Sequence, residues 1–256
     1  MASQPKDASG RPYHVRVSKS ESARVALLPG DPGRVPRIAE RLQGAKKVGS
    51  NREFEVYSGR AGGERVLAVS TGIGGPAMGI AVEELARQGV EVMIRVGTCG
   101  SITKGVGVGT VIVADAAVRM EGTSAQYVHP GYPAAATPGV VMALQEAARA
   151  TKVRHVTGLA ASTDSFYVGQ GREGFGGYLP SDKAHLIEDL RKARVLCFEM
   201  EAATLFTLGR VFGIKTGAVL AVVGNRETNE FSEGSGVDEA IGVAVGAIGL
   251  LKKYSV

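Results

Sequence analysis

Hydrophobic positions follow two different periods along the chain. Short apolar runs rich in β-branched residues predict strands, and these runs occupy 24–29, 53–59, 65–72, 90–98, 110–120, 155–163, 195–200 and 216–225. Between them, apolar residues recur at helical spacing in 35–42, 77–89, 139–151, 186–193, 202–208 and 238–254. This alternation predicts one α/β domain with a mostly parallel central sheet flanked by helices.

Several predicted strands end in glycine or polar residues. In an α/β sheet the carboxyl ends of the strands are where ligands bind, so chemistry is expected there. Glu199 and Glu201 follow one such strand, immediately before a helix. One of them could cap the helix while the other forms a salt bridge, or both could hold the hydroxyl groups of a polar ligand. The residues alone leave these alternatives open.

Composition restricts the classes of function. The chain has 256 residues, 44% of them hydrophobic, which suffices for a sizeable core. The formal charge of +5 could suggest nucleic acid, but the lysines and arginines are scattered without interleaved aromatic residues. We therefore expect no nucleic-acid partner, because a small anionic substrate explains the excess charge equally well.

The sequence favours a cytoplasmic protein. The stretch 1–16 is polar and contains no apolar core of a signal peptide, and the longest apolar segment, near the C-terminus, is too short to span a bilayer. Cys99 and Cys197 have no neighbouring Cys or His at metal-ligand spacing. We expect neither a zinc site nor a disulfide framework, and no membrane partner.

Arginines near predicted strand ends are candidates for anion binding. Gly30 and Arg34 lie in a glycine-rich turn that runs into a helix, where backbone N–H groups and a guanidinium suit phosphate, although a simple turn fits as well. Arg95 lies within an apolar strand and needs a buried partner, either an anionic ligand or a glutamate, and Thr98 follows it. Arg52 has polar neighbours and resembles a solvated side chain.

A second candidate lies in the glycine-rich loop after the strand at 155–163. It carries Phe166, Gln170 and Arg172. An amide and a guanidinium beside an aromatic ring can bind the edge of a planar heterocycle while the ring stacks on its face. A surface turn is the alternative.

The order of these segments resembles that of the nucleoside phosphorylase family of trimeric and hexameric enzymes. The similarity runs from Tyr13 to Arg226 through the motifs GDPGRV, SNREF, STGIGGP, VEEL, RVGTCGSI, STDSFYVGQGR, FEMEAATL and VVGNR. The resemblance implies a domain at 13–256 with a mixed sheet, preceded by a flexible segment at 1–12. It also implies dimers assembled into a ring, with a hexamer favoured and a trimer left open.

The resemblance further implies roles for individual residues. Inorganic phosphate, the co-substrate, would be held by Gly30, Arg34, Arg52, Arg95 and Thr98. The ribose would contact His14, Glu199, Met200 and Glu201. The neighbouring subunit would supply Arg52 and His14. The base would be held by Phe166, Gln170, Arg172 and Arg226. Arg95, Glu201 and Arg172 would carry catalysis, and Arg95→Ala would remove activity without unfolding the protein.

The reaction that the resemblance implies is reversible phosphorolysis of uridine to uracil and ribose 1-phosphate. Gln170 and Arg172 are similar to the two residues that hold uracil in the uridine-cleaving members of this family. Purine-specific relatives place an aspartate where this chain has Gly224 and Asn225, which argues against purine chemistry. The alternatives are a purine or broad-specificity phosphorylase, a hydrolytic nucleosidase or a non-catalytic nucleoside sensor.

No organic cofactor or catalytic metal is expected. Some relatives hold a monovalent cation between subunits with a glutamate, a carbonyl and a serine. Glu53 and Ile73 match the first two, but Ala77 replaces the serine, which argues against a bound cation here. The sequence does not decide activity on thymidine or deoxyuridine.

Overall fold

A computed structural model describes residues 4–256. Its strands are β1 Val25–Leu28, β2 Gln43–Asn51, β3 Phe54–Ala61, β4 Glu64–Val69, β5 Val92–Ser101, β6 Val111–Met120, β7 Ala134–Ala135, β8 His155–Thr163, β9 Val195–Glu199, β10 Lys215–Asn225 and β11 Glu230–Phe231. Its α-helices are α1 Arg34–Ala39, α2 Gly75–Arg87, α3 Pro138–Thr151, α4 Leu186–Lys192, α5 Ala202–Phe212 and α6 Val237–Ile248. Every strand and helix predicted from periodicity is present.

The differences from the predicted elements have simple physical causes. Strand β2 was not predicted because most of its residues are exposed, so it lacks the alternation of a half-buried strand. It forms by antiparallel pairing with β3. The last helix was predicted to run to 254, but α6 ends at Ile248 and a separate 3-10 turn covers Leu251–Tyr254.

All the strands join one eleven-stranded mixed sheet. Strand β10 pairs with both β5 and β6, and this closes a ring in the order β5, β10, β6, β8, β9 and back to β5. From β5 the sheet continues as an open arm through β1, β4, β3 and β2. The chain therefore folds as an α/β domain whose sheet is partly a closed barrel.

The prediction of a mostly parallel sheet holds only in part. Parallel pairing joins β1 to β4 and β5, β10 to β5, and β8 to β6 and β9. The remaining pairs are antiparallel, so the two kinds are about equally represented. Sequence periodicity cannot reveal strand direction, because buried strands of both kinds present similar apolar runs.

The strands of the barrel and arm supply most of the core. Strands β1 and β5 are buried along almost their whole length, and the helices cover them with their apolar faces. Helix α2 packs against α5, and α3 packs against α6. Within residues 4–256 no helix is both long and apolar enough to cross a bilayer.

The N-terminal segment is attached to the domain through α2. The carboxylate of Glu84 accepts hydrogen bonds from the backbone N–H of Val15 at 2.8 Å and of His14 at 3.2 Å. Of the predicted flexible segment 1–12, residues 1–3 lie outside the described residues. Residues 4–12 include a turn closed by a β-bridge between Lys6 and Pro12. The domain boundary at 13 remains a prediction.

Gly209 provides a test of the close packing between α5 and β10. A Cβ added there would lie 2.3 Å from Cγ2 of Thr216, whereas a Cβ at Gly242 in α6 would meet no atom within 4 Å. We expect Gly209→Ala to lower the free energy of unfolding by about 1–3 kcal/mol. The matched Gly242→Ala should raise it by about 0.5–1 kcal/mol, because alanine loses less backbone entropy in a helix. Equal effects in chemical denaturation would contradict this packing.

Candidate active site

A cavity of about 800 Å³ opens at the carboxyl ends of the strands. Its walls come from the loops after β1 and β4, from the second half of β5, and from the chain leaving β8, β9 and β10. This is the position at which α/β sheets bind ligands, because several strand ends and helix starts meet there. The predicted site residues that line it are Gly30, Arg34, Arg95, Thr98, Phe166, Gln170, Arg172, Glu199, Met200 and Glu201.

The centre of the cavity wall is a buried charge cluster. Arg95 Nε donates to Glu199 Oε2 at 2.9 Å, and Arg95 Nη2 lies 2.5 Å from Glu201 Oε2. All three side chains are at most 5% exposed. The arginine that the sequence marked as needing a partner therefore has two. Burying these charges is tolerable because they are paired and hydrogen-bonded.

Glu199 also caps helix α5. Its Oε2 accepts hydrogen bonds from the backbone N–H groups of Glu201 and Ala202, each at 2.9 Å, and its Oε1 accepts a hydrogen bond from the hydroxyl of Ser162. The helix N-terminus and the Arg95 guanidinium both stabilise this negative charge. Capping and salt bridging, one of the two alternatives from the sequence, thus account for the four hydrogen bonds that Glu199 accepts.

Glu201 is less completely satisfied than Glu199. Its Oε1 accepts one hydrogen bond, from the backbone N–H of Gly74 at 2.5 Å, and its Oε2 faces Arg95. Burial raises the pKa of Glu201, and Glu199 raises it further, while Arg95 opposes both. Burial lowers the pKa of Arg95, but the two glutamates outweigh burial and the net shift is upward. Each Glu201 oxygen retains a lone pair that could accept a hydroxyl group.

Two glycines lie beside the arginine. A Cβ on Gly97 would lie 2.7 Å from Cζ of Arg95, so a larger residue would displace the guanidinium. A Cβ on Gly30 would lie 3.0 Å from the carbonyl oxygen of Gly72 and 3.9 Å from Arg95 Nη1. The turn after β1 therefore approaches the β4 loop so closely that a larger residue at 30 would displace one of them, whereas the guanidinium lies at ordinary contact distance.

Arg34, in the first turn of α1, faces the same cavity without an acidic hydrogen-bond partner. Its Nη1 donates to the carbonyl oxygen of Val96 at 3.0 Å, but its buried Nε has no hydrogen-bond partner. Burial lowers the pKa of Arg34, and the nearby charge of Arg95 lowers it further. A buried guanidinium with an unused donor beside a second guanidinium is suited to an oxyanion.

The base-binding candidates form a preorganised group at another part of the cavity. Arg172 Nη1 donates to the carbonyl oxygen of Phe166 at 2.6 Å and to Gln170 Oε1 at 2.7 Å, and its guanidinium lies 4.3 Å from the centre of the Phe166 ring. Arg226 lies outside the lining, but its Nη1 donates to the backbone oxygen of Gln170 at 3.1 Å. Burial and the charge of Arg226 lower the pKa of Arg172 to about 10.

Arg52 and His14 do not line the cavity of their own chain. Arg52 follows β2 with a φ of 53°, and its guanidinium lies 5.8 Å from the ring centre of Tyr13. Asn51 Nδ2 donates to the carbonyl oxygens of Tyr13 and His14, which ties both segments into one corner. The structure thus groups the two residues with each other and not with Arg34 and Arg95.

The candidate cation ligands also lie at the cavity. Glu53, Ile73 and Ala77 all line it, and Ile73 is 77% exposed. Across residues 4–256 no group of three or more His, Cys, Asp or Glu side chains is arranged to hold a metal ion. Ala77 offers no side-chain oxygen.

Several residues of the site carried no signal in the sequence. The backbone N–H of Gly74 and the hydroxyl of Ser162 become partners of the glutamates only through folding. Phe198 and Val223 line the cavity, yet apolar residues in predicted strands indicate only a core, and Phe231, which also lines it, lies outside every predicted strand. The one available hint was position, since each lies within or just after a strand end.

The fold and the cavity together define an α/β enzyme. The chain belongs to the phosphorylase superfamily, because the sequence model of that family matches residues 24–247. It is 48% identical to a uridine phosphorylase of Thermococcus kodakarensis over 99% of this chain and 91% of that protein. It is 37% identical to the uridine phosphorylase of Escherichia coli K12 over 85% of this chain and 87% of that protein.

A relative with a different named substrate also matches. The chain is 36% identical to a guanosine phosphorylase of Halorubrum lacusprofundi over 88% of this chain and 85% of that protein. The family is therefore secure, while the identity of the base requires an argument from the site itself.

The charge cluster predicts unequal effects on stability for the two buried arginines. Arg95→Ala leaves Glu199 and Glu201 buried without their cation, so we expect the free energy of unfolding to fall by about 3–5 kcal/mol. This revises the sequence-based expectation that Arg95→Ala leaves the fold intact. Arg34→Ala removes a guanidinium that is desolvated, incompletely bonded and repelled by Arg95, so stability without ligand should change by less than about 1 kcal/mol. Denaturant unfolding would measure both, and equal losses would contradict the cluster.

Proposed function

We propose that this chain is a nucleoside phosphorylase that cleaves uridine reversibly, with inorganic phosphate, to uracil and ribose 1-phosphate. The observation that carries the proposal is the juxtaposition of three chemistries in one cavity. The first is the pair of guanidinium groups of Arg34 and Arg95, one of which has an unused donor, and the second is the Glu201 carboxylate with its spare lone pairs. The third is the group formed by an aromatic ring, an amide and a guanidinium in Phe166, Gln170 and Arg172. The uridine phosphorylases among the relatives support the same reaction.

Phosphate binds next to the central cluster in this proposal. Arg34 and Arg95 supply N–H groups that are not used within the chain, and the turn at Gly30 and the hydroxyl of Thr98 line the same cavity. Guanidinium groups bind phosphate oxygens with charge-assisted hydrogen bonds, which are strengthened where water is excluded. The phosphate dianion would also attract both guanidinium groups and so offset the repulsion between Arg34 and Arg95.

Ribose lies between phosphate and base. The spare lone pairs of Glu201 accept the ribose hydroxyls, and Met200 packs against the sugar. Glu199 orients Arg95 rather than holding the sugar, because its two oxygens already accept four hydrogen bonds within the chain, against two for Glu201. The sugar is thereby held with its anomeric carbon facing the oxyanion.

Cleavage transfers the ribosyl group from nitrogen to oxygen. A phosphate oxygen forms the bond to the anomeric carbon while the bond from that carbon to N1 of uracil breaks and its electron pair leaves with the base. The phosphate charge stabilises the positive charge that develops on the sugar, and Arg172 stabilises the departing uracil anion. No pair of carboxylates acting as acid and base is needed.

The orientation of Gln170 fits a pyrimidine edge. An arginine can only donate, so the Gln170 atom at 2.7 Å from Arg172 is the amide oxygen, and its Nε2 lies 3.3 Å from the hydroxyl of Thr163. One amide N–H and further N–H groups of Arg172 remain for the carbonyl oxygens of a base. The second lone pair of the amide oxygen can accept the N3–H of uracil.

A purine phosphorylase is the second candidate, favoured by the guanosine phosphorylase among the relatives. The residue at 225 argues against it. Asn225 Nδ2 donates to the carbonyl oxygens of Thr103 and Val106, each at 3.0 Å, and its Oδ1 accepts the backbone N–H of Glu227 at 2.8 Å. Its amide is committed to holding the turn, so it is not free to donate a proton to a purine.

We also propose that the active enzyme is a dimer-based ring, with a hexamer favoured, in the cytoplasm. Arg52 and His14 share one corner away from their own cavity, which suits donation to a neighbouring subunit. Phosphate and nucleoside are the only partners in this proposal, with no organic cofactor, nucleic acid or membrane.

The proposed reaction predicts release of base only with phosphate. We expect uridine to be cleaved at least tenfold more efficiently, as kcat/KM, than inosine or guanosine. Chromatography of the products with and without phosphate would measure this. Release of base without phosphate would indicate a nucleosidase, binding without cleavage a sensor, and faster cleavage of guanosine a purine enzyme.

Two arginines on the same helix provide the control for phosphate binding. Arg34→Ala should lower kcat/KM for phosphate by at least about a hundredfold, since it removes a charged partner in a desolvated site. Arg37 lies one turn away and pairs with Asp238 at the surface, so Arg37→Ala should leave the phosphate dependence unchanged.

Subunit mixing tests whether Arg52 acts across an interface. Arg52→Ala and Arg34→Ala should each be nearly inactive as homo-oligomers. Co-expression should restore activity, because an Arg34→Ala subunit can donate its Arg52 to the intact Arg34 of its neighbour. Activity of co-purified mixed oligomers would measure this, and mixed oligomers as inactive as the parents would show that Arg52 serves its own chain.

A further inference from the structure

The cavity is lined by a second exposed aromatic residue, Phe231, to which the proposed reaction assigns no role. Phe231 lies in the short strand β11 and lines the cavity, although 75% of its side chain is exposed. Phe166 also lines the cavity and is 51% exposed. Large aromatic side chains this exposed at a cavity are available to contact a planar ligand.

The position of Phe231 is fixed by its pairing with β10. Gly224 and Phe231 are directly opposed in the antiparallel β10–β11 pair. Directly opposed residues project their side chains to the same face of a sheet. A Cβ added to Gly224 would lie 3.5 Å from Cδ2 of Phe231, so the ring covers the place from which a side chain at 224 would project.

The neighbouring positions cannot aim an acid at the base. The side chain of Asn225 is fully hydrogen-bonded to the backbone of the turn, and Val223 lies at a register shift between β10 and β5 and presents an apolar side chain to the cavity. Position 224 also lines the cavity, and a carboxylate there could reach a base. There, glycine and the Phe231 ring leave an apolar surface.

We infer that Phe231 is a specificity-determining residue, whose ring over Gly224 forms an apolar wall that favours a pyrimidine nucleoside over a purine nucleoside. The inference rests on the proposed phosphorolysis. A uracil leaving group is stabilised through its carbonyl oxygens by Arg172 and needs no acid at this wall. A purine leaves with protonation of its five-membered ring, which an apolar wall cannot provide. The ring also narrows the space that the larger base requires.

The test is a double-mutant cycle with Phe231→Ala and Gly224→Asp. Steady-state kcat and KM would be measured for uridine and inosine at saturating phosphate. We expect Phe231→Ala to lower the ratio of kcat/KM for uridine to that for inosine by at least about tenfold, chiefly through the KM for uridine. Gly224→Asp should raise inosine cleavage at least about tenfold more in the Phe231→Ala background than in the unmodified chain, because the ring no longer occupies the space the carboxylate needs.

Controls separate specificity from folding. Phe231→Leu retains an apolar wall and should keep most of the preference for uridine. Glu230 is adjacent on the same hairpin but does not line the cavity, so Glu230→Ala should leave the ratio unchanged. Thermal unfolding should be similar in all variants, since Phe231 is mostly exposed.

The outcomes are distinct. If the unmodified chain cleaves uridine with phosphate but Phe231→Ala changes the ratio less than twofold, or Gly224→Asp acts equally in both backgrounds, the role of Phe231 is overturned and the proposed function stands. If the unmodified chain does not cleave uridine with phosphate, both fall.

Discussion

The buried ion pairs of Arg95 with Glu199 and Glu201 organise the whole site. They join the middle of β5 to the junction of β9 and α5, and through Gly74 to the start of α2. Each charge is taken out of water, so each depends on the others and on the backbone N–H groups that surround them. The same contacts that stabilise the fold fix the direction in which the guanidinium faces the cavity.

The balance of charge in the cavity explains why it suits a phosphate beside a sugar. Glu199 accepts four structural hydrogen bonds, whereas Glu201 accepts two and Arg34 keeps a donor without a partner. A guanidinium without an acidic partner can bind an anion, and a carboxylate with spare lone pairs can accept hydrogen bonds from hydroxyl groups. Both groups are neighbours of Arg95, since Glu201 pairs with it and its charge lowers the pKa of Arg34.

The base end is built on a different principle. Gln170, Arg172 and Phe166 hold one another through direct contacts, and Arg226 supports the loop from β10. A preorganised group of this kind binds a planar edge with little loss of side-chain entropy. Phe231, which lies against Gly224, adds an apolar surface to the same cavity.

The sequence by itself determined the α/β class, the succession of strands and helices, and the candidates Arg95, Glu199 and Glu201, because apolar periodicity and charges in or beside apolar runs are local signals. Arg34, Gln170 and Arg172 were candidates because of their glycine-rich turns and the family resemblance. Only the tertiary structure decided the closed barrel, strand β2, the capping role of Glu199 and the wall formed by Phe231. Strand direction and pairing, like the contacts of Gly74 and Ser162, depend on residues far apart in the chain, and no local pattern records which of them meet.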